Sequence, residues 1–179
     1  KKEAELFYRH EPTVEKIHME EGETWRYFKG TKQPPASWRA MNFDDSEWDA
    51  GPSGFGYGDN DDMTKLSDMR FYEETANEPG QPGYLSLFIR RKFQLRNLSE
   101  IKQLIFRVDY DDGFIAYLNG REIARANLDG VARYNTKAKK GHEAGDPVDF
   151  DITKKLGIIR EGDNVLAIQV HNDKLTSMT

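Results

Sequence analysis

The sequence predicts an all-β protein, an antiparallel two-sheet β-sandwich, and three observations support this fold class. Phe114–Leu118 and Arg121–Arg125 flank Asn119-Gly120, a pair that can supply the two positive-φ residues of a type I′ hairpin turn. Asp111-Asp112-Gly113 is a second tight-turn signal after the apolar run Leu104–Val108, so these three strands are expected to form a meander. Roughly eight short strands are expected in all, and no strand-helix-strand repeat indicates a parallel sheet.

The first part of the chain has the weakest strand signals. Residues 1–22 are expected to be a lead-in with one possible strand at Thr13–Glu20, and residues 23–179 a single β-sandwich domain. Trp25–Phe28 is a short aromatic strand. Residues 30–83 form a long irregular region rich in proline, glycine and acids. Such a region inside a compact domain is more often functional than a short connection is.

Regular alternation returns in the second half of the chain. In Tyr84–Leu95 one face is mainly apolar but includes Arg91, which therefore needs a buried acid or a position at the rim. Val148–Ile152 is a further strand. In the last strand, Asn164–Asn172, the residues Leu166, Ile168 and Val170 point one way, and Gln169 and its alternate neighbours point the other way.

Composition excludes several classes of function. The chain has 179 residues, no cysteine and a net charge of −5, so disulfides, thiolate catalysis and cysteine-based zinc sites are ruled out. Nucleic acid is not expected as a partner, because the sequence has no basic stripe. The one basic cluster, Lys137–Lys140, is typical of a solvated loop. No apolar run approaches the roughly 18 residues that a membrane span requires, so membrane insertion is not expected.

Several phrases, taken in order, carry a family resemblance. They are W-R-Y-F-K-G at Trp25–Gly30, W-R-A-M-N-F-D-D-S-E-W-D-A-G at Trp38–Gly51, G-F-G-Y-G-D at Gly54–Asp59, F-I-R-R-K-F at Phe88–Phe93, V-D-Y-D-D-G-F-I-A-Y-L-N-G-R-E-I at Val108–Ile123 and G-D-N-V-L-A-I-Q-V-H-N at Gly162–Asn172. In this order they resemble the galactose-binding-domain-like jelly rolls, including the sugar-binding domains of family 2 glycoside hydrolases.

The resemblance implies a non-catalytic module of a large bacterial protein, located outside the cell or in the cell envelope. It implies carbohydrate binding, sometimes with a structural calcium ion, or else a spacer that contacts neighbouring domains and binds no free ligand. The family pattern continues with one more strand after V-H-N, so the domain is expected to lack its last strand.

The acidic loop at Asp59, Asp61 and Asp62 is the best metal candidate in the sequence. Clustered carboxylates in an irregular loop can supply the oxygens that calcium prefers, although the spacing is not that of an EF-hand. A solvated turn is the alternative. No pair of histidines has the spacing of a transition-metal site.

The residues expected to contact a saccharide are Trp38, Tyr57, Arg90, Asp111 and Asp112. A ring can stack on the apolar face of a sugar while polar groups bind its hydroxyls. Each assignment has a structural alternative, because the loop aromatics can form a packed core and the two aspartates can cap a turn.

Asp44 and Asp45 form a further acidic pair in the irregular region. Asp44 and Asp45 are expected to cap a turn while Trp48 fills the edge of the sandwich. No catalytic signature is present: Gly51-Pro52-Ser53-Gly54-Phe55 lacks the final glycine of a nucleophile elbow.

Overall fold

A computed structural model describes residues 3–9, 14–17, 22–57, 62–71, 73–75 and 79–175. Within these ranges the chain forms twelve strands and four short 3-10 helices. The strands are β1 Glu3–Arg9, β2 Val14–Ile17, β3 Thr24–Lys29, β4 Asp49–Pro52, β5 Phe55–Gly56, β6 Thr64–Lys65, β7 Ser86–Leu95, β8 Gln103–Asp109, β9 Gly113–Leu118, β10 Arg121–Ala126, β11 Val148–Asp151 and β12 Gly162–His171. The 3-10 helices are Ala36–Arg39, Ser67–Met69, Leu98–Glu100 and Thr153–Ile158.

The strands form two antiparallel sheets and a small parallel pair. The four-stranded sheet has the order β11-β8-β1-β2, the six-stranded sheet has the order β10-β9-β12-β7-β3-β4, and β5 pairs with β6. This confirms the predicted all-β sandwich. Residues 1–22 supply two strands rather than the single one expected, and β1 pairs with β8 from Glu3 to Arg9.

The predicted meander is wrong, because β8 and β9 belong to different sheets. The turn at Asp111–Gly113 carries the chain across the sandwich, with Asp112 at a φ of +57°. The β9–β10 hairpin is confirmed: Asn119 and Gly120 have φ values of +50° and +84°, as a type I′ turn requires.

The six-stranded sheet is covered on both faces. Its inner face packs against the four-stranded sheet, where β12 contributes Leu166 and Ile168 to the sandwich core. Its outer face bears a second cluster, here called the outer core. The outer core consists of Trp38, Trp48, Phe88, Ile115, Tyr117, Leu128, Ala132 and Ala167. The sheet is therefore the middle layer of three, and loops rather than strands form the outermost layer.

Candidate functional site

The loop aromatics are mainly interior residues. Trp38 is only 2% exposed, lies 6.2 Å from the stacked ring of Trp48 and meets Phe88 edge to face at 5.1 Å. Phe55 and Tyr84 are buried in the sandwich core. Trp38 therefore presents no open ring face for a sugar in this structure.

Arg90 is fully buried beside Trp38. Its Nε donates to Asp45 Oδ2 at 2.8 Å, and its Nη1 donates to the carbonyls of Trp38 and Ala40, the second at 3.1 Å. Arg90 thus ties the irregular loop to the outer face of the sheet. The adjacent Arg91 points the other way and forms the expected ion pair with a partly buried acid, Glu23.

Asp112 holds three segments together at one end of the sandwich. Its Oδ1 accepts from the backbone N–H of His142 at 2.8 Å, and its Oδ2 accepts from that of Asp173 at 2.7 Å. The same end contains Tyr57, whose hydroxyl accepts from Asn172 at 2.7 Å. In the described residues around this end, the carboxylate of Asp112 acts as a backbone cap, the structural alternative for this turn.

Asp44 forms the predicted turn, since its Oδ1 accepts from the N–H of Ser46 at 3.0 Å, and Trp48 is buried.

The calcium hypothesis concerns a loop that is mainly outside the described residues: Asp59 and Asp61 lie there, and Asp62 is buried. Across the described part of the chain, no group of three or more histidine, aspartate or glutamate side chains is arranged to hold a metal ion. Calcium at this loop stays a prediction.

A concavity lined by several polar side chains lies on the outer face of the six-stranded sheet and has a volume of about 350 Å³. We call it the outer-face groove. Its polar lining consists of Gln33, Arg39, Tyr117, Glu122, Arg125, Arg133 and Gln169. One wall is the loop at residues 33–39 and the other is the loop at residues 130–133. The backbone N–H of Tyr134 donates to Gln33 Oε1 at 2.9 Å and joins the two loops.

A β-bulge in β10 shapes the floor of the groove. Residues three apart on a regular strand face opposite sides, but the β10 register shifts between Glu122 and Ala124. As a result Glu122 lies opposite Tyr117 and Arg125 lies opposite Ile115, two residues of the outer core. The bulge therefore places both charged side chains on the outer face.

Glu122 and Arg125 form a bidentate ion pair in the groove. Arg125 Nε and Nη2 donate to the two carboxylate oxygens at 2.6 Å each, and this hydrogen bonding lowers the pKa of Glu122. Arg125 Nη1 also donates to the carbonyl of Gly130 at 2.9 Å. Arg125 thus fixes the wall at residues 130–133 and also contributes charge to the groove.

Arg39 covers the ring of Tyr117, with the guanidinium carbon 4.6 Å from the ring centroid. Burial raises the pKa of Tyr117, while the charge and the hydrogen bond of Arg39 lower it. No ion pair joins Arg39 to a carboxylate in the ranges that the structure describes. Its remaining N–H groups are therefore available to a ligand.

Gln169 lies on β12 and lines the groove, although it is only 3% exposed. Its amide Nε2 is buried and has no hydrogen-bond partner. Such a group costs free energy of roughly 1–3 kcal/mol when it is left unsatisfied. An unpaired amide at a groove is consistent with a position whose partner is a ligand.

His171 lies two residues further along β12 and is fully buried. Burial lowers its pKa to about 4, and a hydrogen bond between Nδ1 and the carbonyl of Thr136, at 2.8 Å, partly opposes this shift. His171 is therefore a neutral residue that fastens the loop after the groove wall to the sheet.

Sequence reasoning placed Gln169 on the correct face but missed its burial and the groove. Alternation alone marks a polar residue on that face as solvent-facing, because a second core above the sheet has no periodic signal. It also missed Glu122 and Arg125, since a regular strand would have placed them on opposite faces.

The fold matches a domain of bacterial glycoside hydrolases. A β-glucuronidase from Bacteroides uniformis matches 97% of this chain with a TM-score of 0.55 and 16% identity, and 15% of the enzyme is covered. A Bifidobacterium dentium β-glucuronidase matches 94% of the chain with a TM-score of 0.52 and 16% identity, and 20% of it is covered. No protein-family model and no curated protein sequence matches the chain.

This chain has the β-sandwich fold of one domain of those enzymes. The resemblance to sugar-binding domains of family 2 glycoside hydrolases is confirmed at the level of the fold. The chain spans about a fifth or less of each enzyme's length. Among the described residues, no helix has the length and apolar character needed to cross a membrane.

Proposed function

We propose that this chain is a carbohydrate-binding module of a larger secreted or cell-surface protein, and that the outer-face groove holds the saccharide. The observation that carries the proposal is the buried, unpartnered amide of Gln169 at a groove lined by polar side chains. Saccharide sites are concave and use a few fixed polar groups to bind hydroxyls. The fold shared with a domain of β-glucuronidases supports the same class of ligand.

Two of the five residues named from the sequence enter this proposal, both in changed roles. Trp38 lines the groove and meets the ring of Tyr117 edge to face at a centroid distance of 5.8 Å. Arg90 holds the wall at residues 33–39 through its bonds to the carbonyl groups of Trp38 and Ala40. Tyr57, Asp111 and Asp112 lie at other positions and do not line the groove.

A spacer domain that contacts a neighbouring domain is the second candidate. Val131, at the rim of the groove, is 90% exposed. A single exposed apolar side chain is ordinary on a protein surface, and it would mark a contact with a neighbouring domain only as part of a larger apolar patch. The two candidates differ in whether a free saccharide binds.

Retention of the folded chain on a panel of neutral and charged polysaccharides tests the proposal. The wild type should be retained on at least one, and R125Q should lose roughly tenfold in affinity because the ion pair and the Gly130 contact disappear. The matched control is R107Q, since Arg107 forms an equivalent bidentate pair with Asp149 at 2.5 and 2.7 Å.

Either of two results would contradict the proposal. A folded wild-type chain that no polysaccharide retains would leave the spacer function. Equal retention of R125Q and the wild type would show that the saccharide binds elsewhere.

A further inference from the structure

The charges of the outer-face groove are unbalanced. Its lining contains three arginines, Arg39, Arg125 and Arg133, but a single carboxylate, Glu122. The chain as a whole carries a net charge of −5. A positive groove on an acidic protein concentrates the field on one small region of the surface.

The single carboxylate of the groove is already engaged. Both oxygens of Glu122 accept from Arg125, and Lys155 lies close enough for its Nζ to donate to the backbone carbonyl of Glu122 at 2.7 Å. The nearby Asp129 forms an ion pair with Lys139 at 2.9 Å, so its charge is balanced by a cation outside the groove lining. Within the described ranges, Arg39 and Arg133 form no ion pair.

The groove therefore offers donors and few acceptors. The guanidinium groups of Arg39 and Arg133 donate only, and the free nitrogen of Gln169 is also a donor. A neutral sugar presents hydroxyls that both donate and accept, whereas a carboxylate presents only acceptors. The planar, forked guanidinium also matches the geometry of a carboxylate.

We infer that the saccharide held in the outer-face groove is acidic and carries carboxylate groups, as a uronate polymer does. This inference rests on the proposed function, because it names the ligand class of the same groove. Arg39 and Arg133 bind the carboxylates, and Gln169 donates to an oxygen of the same chain of sugars. Arg125 is a positioning residue that holds Glu122 and the wall loop.

The test compares each uronate polymer with its own neutral form. Polygalacturonate, alginate and hyaluronate are each measured beside the carboxyl-reduced polysaccharide, which has the same linkages without the charge. At least one acidic form should bind roughly tenfold or more tightly than its reduced form, as one charge-assisted hydrogen bond would give. R39Q should remove most of this preference.

Two controls separate recognition from general attraction of a polyanion. R96Q removes the same charge at an exposed position outside the groove and should bind as the wild type does. Q169M leaves the charge unchanged and should still weaken binding to the acidic polymer. Dextran sulfate, a polyanion without carboxylates, should bind more weakly than the preferred uronate polymer.

The acidic ligand and the carbohydrate-binding function fail by different results. Equal binding of acidic and reduced forms would overturn the acidic ligand and leave a carbohydrate-binding module. Dextran sulfate binding that equals uronate binding and is unaffected by Q169M would also overturn it. Binding to none of these polymers or to the wider panel would overturn both.

Discussion

At the scale of single residues, Gln169 is one of several side chains that bury a polar atom without a hydrogen-bond partner, and it is the one that lines the outer-face groove by its amide. Its amide nitrogen is buried without a partner between β9 and β7. Burying an unpaired amide opposes folding, and an acceptor oxygen of a ligand would satisfy this donor.

Replacing this amide by a thioether of similar shape should stabilise the chain. Q169M removes the unsatisfied donor and should raise the free energy of unfolding by about 1 kcal/mol, measured by urea denaturation. The matched control is Q94M, because Gln94 is an exposed glutamine that bonds to Asp163 at 3.1 Å and should change stability little. A clear loss of stability in Q169M would show that the amide has a structural role.

The residues assigned from the sequence show which signals carry to the structure. The turn at Asn119-Gly120 follows from local chemistry and is confirmed, and Arg91 has an acid partner, Glu23, which is partly buried. The burial of Trp38 and Arg90 depends on a loop that folds back over the sheet, which periodicity does not encode. Local patterns predict backbone and facing direction, but not what covers an outer face.

At the scale of elements, the 36–45 segment is positioned by one buried arginine. Arg90 binds the carboxylate of Asp45 and the carbonyl groups of Trp38 and Ala40. Its guanidinium also lies over the ring of Phe43, 5.0 Å from the centroid. The groove wall at residues 33–39 therefore depends on the buried guanidinium of Arg90.

Removing this guanidinium should be costly. R90M keeps the aliphatic stem but leaves Asp45, whose side chain is 14% exposed, and two carbonyls without their donor. We expect the free energy of unfolding to fall by about 3–5 kcal/mol, as for other broken buried pairs, measured by urea denaturation. R107M, which breaks an exposed pair, should cost no more than about 1 kcal/mol. Similar, small losses in both variants would contradict the anchoring role of Arg90.

The bulge in β10 was not predictable from the sequence, yet it determines the groove. Arg121–Ala126 has the residues of an ordinary edge strand, and the shift between Glu122 and Ala124 arises where the chain packs against β9. Bulges are frequent near functional sites because they redirect side chains. Here the redirected pair is the ion pair of the groove.

At the scale of the whole molecule, the protein has three layers and two cores. The sandwich core was predictable from alternation, because Leu166, Ile168 and Val170 share the inner face as expected. The assignment of β8 and β9 to separate sheets was not, since a tight turn is compatible with both a hairpin and a crossing between sheets. The irregular region supplies one part of the outer layer and one wall of the groove, and the loop at residues 128–134 supplies the rest.

An NMR titration of the ¹⁵N-labelled chain with trigalacturonate, and with cellotriose as a neutral probe, locates the saccharide site directly. We expect a bound saccharide to shift the backbone amides of Tyr117, Glu122, Gln169 and residues 130–133, and to leave those of the four-stranded sheet unchanged. Shifts confined to the end of the sandwich near Tyr57 and Asp112 would contradict the groove as the binding site. Amides unmoved by either sugar, in a chain that no polysaccharide of the panel retains, would contradict a saccharide site altogether.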